Sequence, residues 1–153
     1  MPLRIIKDSQ VVEDDWQTAA AEDGATLPPN GKLIVPLTLW LAQRESLLAR
    51  RAPLGLQVTG DTEPDDFAAD LGHFSLVAIH FGAFADGRGY SLARLLRQRY
   101  GYSGELRAVG DVLRDQLFYL ARCGFNSFVI RADKDVDDAL ASLHDFSDVY
   151  QTA

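Results

Sequence analysis

Eight residues constrain this chain more than any others: Phe74-Ser75-Leu76-Val77-Ala78-Ile79-His80-Phe81. A run this short and this apolar reads as a β-strand covered on both faces, the condition of a strand inside a parallel sheet. Shorter runs of the same kind flank it: Leu33-Ile34-Val35, Leu54 to Val58, Leu106 to Val109 and Phe125 to Ile130. Helical stripes lie between them. Leu37, Trp40, Leu41, Leu47 and Leu48 form one, with Pro36 in its first turn and Pro53 closing it. A short helix is expected over Asp65–Leu71. Leu92, Leu95, Leu96 and Tyr100 form a stripe capped by Ser91 and ended by Gly101. Leu113, Leu117, Leu120 and Ala121 form another, capped by Asp111 and ended by Gly124. Val136, Leu140 and Leu143 mark a last helix over 135–144.

The pattern is βα repeated about five times with short links. It predicts an α/β fold with a mainly parallel sheet and right-handed crossovers. Five units are too few for a complete eightfold barrel. The sheet is therefore either open, in three layers, or curved into a partial barrel, and the short links lean toward curvature. One domain is expected over 1–153, with a repeated core at 32–144 and an irregular extension at 1–30. In that extension Ile5-Ile6 and Val11-Val12 suit a hairpin around Asp8-Ser9-Gln10; residues 13–30 read as loop, with Trp16 as an anchor.

Composition narrows the partners. A net charge of −7 argues against nucleic acid. No apolar run reaches the roughly 18 residues of a membrane span. The start, Met1-Pro2-Leu3-Arg4-Ile5-Ile6-Lys7, has no signal-peptide core, so a cytoplasmic protein is expected. The single cysteine, Cys123, excludes an internal disulfide and reads as a buried apolar residue. The charge is uneven: residues 88–122 hold seven arginines against three acids, a net of +4. Solvated faces with ion pairs to neighbouring segments would explain this, and so would a local site for an anion or a partner.

Ligands of parallel α/β folds meet the carboxyl ends of the strands. The loops 59–66, 82–91, 110–116 and 131–135 should share that edge. The second offers Asp86, Arg88, Tyr90 and Ser91, with Gly87 and Gly89 allowing a tight turn or a close approach to a ligand. It is neither a Walker phosphate loop nor a dinucleotide fingerprint. The third offers Asp111, Arg114, Asp115 and Gln116, in which Asp111 and Asp115 would share a helical face. Arg107, within a strand, needs a carboxylate or an anionic ligand if it points inward, and Asp86, Asp111 and Asp115 are the candidates. His73, His80 and His144 are isolated; no metal-ligand spacing and no Gly-x-Ser-x-Gly nucleophile turn is present. The residues leave any cofactor unknown.

The stretches Phe84-Ala85-Asp86-Gly87-Arg88-Gly89-Tyr90-Ser91, Gly104-Glu105-Leu106-Arg107-Ala108-Val109-Gly110-Asp111-Val112-Leu113-Arg114-Asp115-Gln116 and Arg122-Cys123-Gly124-Phe125 together resemble DUF934, a bacterial family of unknown function. Val35-Pro36-Leu37-Thr38-Leu39-Trp40 is similar to the family's beginning. The chain departs from the family pattern at Gly82-Ala83, where members have a proline and a basic residue. Members are labelled probable oxidoreductases involved in sulfite reduction, so the resemblance implies an association with assimilatory sulfate reduction. It carries no residue over as catalytic. It implies two roles as expectations: an accessory partner of sulfite reductase or another sulfate-assimilation enzyme, or a small oxidoreductase acting on an anionic sulfur metabolite or redox cofactor at the strand edge.

Overall fold

A computed structural model describes residues 4–19, 30–82, 87–112, 114–130, 136–141 and 143. Its strands are β1 (Arg4–Lys7), β2 (Gln10–Glu13), β3 (Trp16–Thr18), β4 (Lys32–Pro36), β5 (Leu54–Thr59), β6 (Leu76–Phe81), β7 (Glu105–Gly110) and β8 (Ser127–Phe128). Helices are α1 (Leu37–Ala42), α2 (Arg44–Leu48), α3 (Arg88–Gln98), α4 (Leu117–Cys123) and α5 (136–141). The strands form one sheet in the order β2-β1-β8-β7-β6-β5-β4-β3. From β3 to β8 they lie side by side in chain order and parallel.

That order settles the layering. Right-handed crossovers between successive neighbours wind the chain one way and bring the helices to one face. The main core lies there: Val35, Leu56, Val77, Ile79 and Leu106 from the strands meet Trp40, Leu47, Leu92, Leu96, Leu117 and Leu120 from the helices. The opposite face carries a small cluster of Ile34, Leu76 and Ala78, with Trp16 and Val109 against it. The three-layer alternative is excluded. The sheet is curled like half a barrel, with the small cluster inside the curl, as twisted strands allow. The Phe74–Phe81 run is central as expected, and Leu76, Val77, Ala78 and Ile79 are all 0% exposed.

The outermost strands, β2 and β3, lie at opposite edges of the sheet, yet only Asp14 and Asp15 separate them in the chain. Three peptide links span at most about 11 Å. The two edges therefore converge at this corner.

The first hairpin forms where expected. Asp8 and Ser9 connect β1 to β2 with φ of 50° and 64°, the paired left-handed backbone of a turn that matches strand twist.

Several local expectations are corrected. Trp16–Thr18 is a strand rather than loop. The single helix expected after Pro36 breaks at Gln43 (φ −121°), which shifts the helical phase of the downstream residues. Leu39 turns inward, while Leu41 and Leu48 are 57% and 42% exposed. The Asp65–Leu71 helix is replaced by two 3₁₀ turns, Pro64–Asp66 and Ala68–His73. Buried Asp70 holds that crossover, accepting from Trp40 Nε1 at 3.0 Å and pairing with Arg44 at 2.6 Å. The connection from β5 to β6 is thus not α-helical, and a regular count of five βα units is not met.

Candidate functional site

Where they are described, the loops after β5, β6 and β7 come together by packing. Thr59 donates its hydroxyl to Asp61, and its N–H donates to Thr62 Oγ1 at 3.1 Å. The Thr59 hydroxyl, with the Asp61 amide and the charge of Arg88 adding to it, holds the Asp61 carboxyl below the usual range. Across this loop stands the first turn of α3. A Cβ on Gly60 would lie 2.6 Å from Gly89 N, and one on Gly89 would collide with the Phe81 ring. Glycine at 89 thus has its reason in helix–strand approach. His80 is exposed, with its ring beside Gly110 at the end of β7.

The expected site residues divide. Arg88 is exposed at the start of α3. Tyr90 is half-buried between Phe81 and Tyr119, at centroid distances of 5.4 and 4.9 Å, and burial raises its phenol pKa. Ser91 does not cap α3, which begins three residues earlier; its hydroxyl donates back to the Gly87 carbonyl at 3.3 Å. Asp111 does not cap α4, because a 3₁₀ turn at Arg114–Gln116 intervenes and α4 starts at Leu117. Asp111 lies in a bend instead, its N–H donating to Phe81 O at 2.8 Å. It shares no helical face with Asp115, which is exposed. Gln116 occupies the N-cap position of α4 without a side-chain cap bond. Asp86, the side chain of Arg114 and the loop 131–135 lie outside the described residues.

Arg107 points into the curl and is 2% exposed. Its partners differ from those expected. Nε and Nη2 donate to Glu105 Oε2 at 3.2 and 2.9 Å, Nε donates to Ser127 Oγ at 3.1 Å, and Nη1 donates to Asp14 Oδ1 at 3.0 Å. Lys7 closes the set, 3.3 Å from Glu105 Oε1. Two cations and two carboxylates therefore balance inside the curl. Glu105 was legible in principle: two residues from Arg107 on one strand, it must share its face. Asp14, 93 residues away, left no such signal.

The other arginines of 88–122 follow a different rule. Arg97 donates to three backbone carbonyls, Gly124 at 2.9 Å and Tyr102 and Gly104 at 2.8 Å. Arg94 lies 5.6 Å over the Tyr119 ring and donates to its hydroxyl at 3.2 Å. Arg99 stacks on Tyr100 and Arg122 on Phe118, each at 5.8 Å. Among the described residues, no ion pair joins Arg94, Arg97, Arg99 or Arg122 to a carboxylate.

Two concavities stand out. One, of about 420 Å³, lies beside α4, with Phe118, Arg122, Phe125, Phe128 and Leu143 on its walls and Asp8 at its margin. The other, of about 330 Å³, opens at the amino ends of the strands among Lys7, Trp16, Lys32, Ser75, Ser103 and Glu105. Among the described residues no group of three or more His, Cys, Asp or Glu is placed to hold a metal ion, and no helix is long and apolar enough to cross a membrane. Cys123 is buried in the core.

A curled, mostly parallel sheet with helices on its outer face and a neutralised charge set inside defines the class as an α/β protein of half-barrel type. The chain belongs to DUF934, described as a bacterial protein of unknown function, whose family model matches residues 55–153. No curated protein and no solved structure matches it.

Proposed function

We propose that this chain is a cytoplasmic accessory protein of assimilatory sulfite reduction, acting by binding sulfite reductase or a neighbouring enzyme of that pathway. The link to sulfite reduction comes from the resemblance of its motifs. The observation that favours a binding role over a small oxidoreductase is the state of Arg107. The inward arginine that would hold an anionic sulfur metabolite already has Glu105, Asp14 and Ser127 on its three nitrogens. An anion entering there would displace two carboxylates from a buried cation, a costly exchange.

A deletion strain tests the reading. Growth should fail or slow on sulfate and on sulfite and recover on sulfide or cysteine, and sulfite reductase should co-purify with the tagged chain. Normal growth on sulfate together with no recovered complex would overturn it.

A further inference from the structure

We propose that the outward face of α3 and α4 is the surface on which this chain receives its partner, and that the partner presents acidic side chains around one large apolar anchor. The inference rests on the accessory-protein reading and adds to it the surface and its chemistry.

Charge is the first argument. An exposed arginine paired with no carboxylate is a local cationic point in a chain of net charge −7. Arg94 and Arg122 are exposed and pair with none among the described residues. They stack instead on Tyr119 and Phe118. A guanidinium resting on a ring has already lost much of its side-chain freedom, which lowers the entropic cost of meeting a carboxylate, and Arg94 gives one donor to the Tyr119 hydroxyl and keeps its others.

Shape is the second. Tyr119 is 48% exposed, one of three exposed large apolar side chains among the described residues. Arginine and tyrosine, with tryptophan, are the residue types enriched at the energetic centres of interfaces. The concavity of about 420 Å³ adjoins them, sharing Phe118 and Arg122 with this face and continuing to Phe125, Phe128 and Leu143. An apolar side chain can enter that concavity while its acidic neighbours reach Arg94 and Arg122. The other exposed apolar pair, Leu41 and Leu48, lies on α1 and α2 and serves as the control surface.

The test measures binding of the full chain to purified sulfite reductase from about 50 mM to about 300 mM salt. Binding should weaken as salt rises, and the doubly reversed variant R94E/R122E should lose about tenfold or more in affinity. The milder R94A/R122A should lose less, and L41A/L48A should bind as the parent does; an unchanged Tm confirms that each variant is folded. If the parent binds and R94E/R122E binds equally well, this surface is wrong while the accessory reading stands. If the parent does not bind the reductase, the accessory reading falls. The surface is then judged alone with a synthetic acidic peptide carrying one central phenylalanine. Shifts of the Tyr119 and Arg122 amide signals with that peptide, and not with its lysine-for-acid counterpart, support the surface; their absence overturns it. Self-association of the parent that R94E/R122E abolishes, without reductase binding, would mean that the face pairs copies of this chain and would also overturn the proposal.

Discussion

Arg107 joins three separate parts of the chain: its own strand through Glu105, β8 through Ser127, and the β2–β3 link through Asp14. Removing it leaves Asp14 without its cation and Glu105 with only the half-exposed Lys7. Arg107→Ala should therefore cost about 3–5 kcal/mol in urea unfolding, well above a typical surface change; a loss near zero would show that the set contributes little. Tyr102 gives a pH-dependent counterpart. Its hydroxyl donates to Phe74 O at 2.9 Å, and burial pushes the phenol above its ordinary value of 10.0. The folded state therefore stays protonated where the unfolded chain ionises. Its contribution is complete below about pH 10 and is lost as pH rises beyond that. Stability of the parent should fall more steeply above pH 10 than that of Tyr102→Phe, and parallel profiles would refute the assignment. At this scale the sequence was half legible. The period-2 rule placed Arg107 on the face of Glu105, but the acids of the loop that follows its strand, Asp111 and Asp115, proved not to be its partners, because a strand's end and its interior do not share a side-chain environment.

Among the elements, α3 is tied down at both ends. At its start Gly89 lies against the Phe81 ring and the Gly60 backbone. Gly89→Ala forces a methyl group into that contact and should cost about 1–3 kcal/mol in thermal or urea unfolding. At its other end Arg97 reaches the carbonyls of Tyr102, Gly104 and Gly124, binding the exit of α3 to the left-handed C-cap of α4 (φ 117°). Charge-assisted bonds to carbonyls contribute about 1.5–3 kcal/mol; Arg97→Ala should lose an amount in that range, and Arg97→Lys should recover only part of it because one ammonium cannot span three acceptors. The existence of α3, α4 and the strands they follow was readable from periodicity and from Gly101 and Gly124. Their starts were not. Ser91 and Asp111 are good cap residues, yet the helices begin where the packing of Gly89 and Leu117 lets them, and intrinsic cap preference is about 1 kcal/mol, too small to override a core contact. The break at Gln43 escaped for a similar reason: six residues before it and five after it each satisfy a helical stripe, and only the inward Trp40 and Leu47 decide the phase.

For the whole molecule, the alternation of strands and helices was enough to give a parallel sheet. Its two edges meet through something no local pattern carries: the three-residue strand β3, too short to show a period, pairs with β4 at one edge, while β2, two residues earlier, pairs with β1 at the other. Asp14 and Asp15 hold that corner. Asp14 accepts from Arg107 and from the Trp16 amide, and Asp15 pairs with Lys32 at 2.6 Å, which depresses its carboxyl pKa. A short link of this kind keeps both edges of the sheet from drifting apart and presenting unpaired strands. Inserting six glycine and serine residues between Asp14 and Asp15 should relax it. Loop closure alone would cost ~1 kcal/mol for lengthening the link from two residues to eight, and displacement of Asp14 from Arg107 would add to that. The insertion variant should therefore unfold at lower urea than the parent and elute with a larger apparent size as its freed edges splay or pair. Equal stability and equal size would mean that the inner charge set and the core hold the curl without the link.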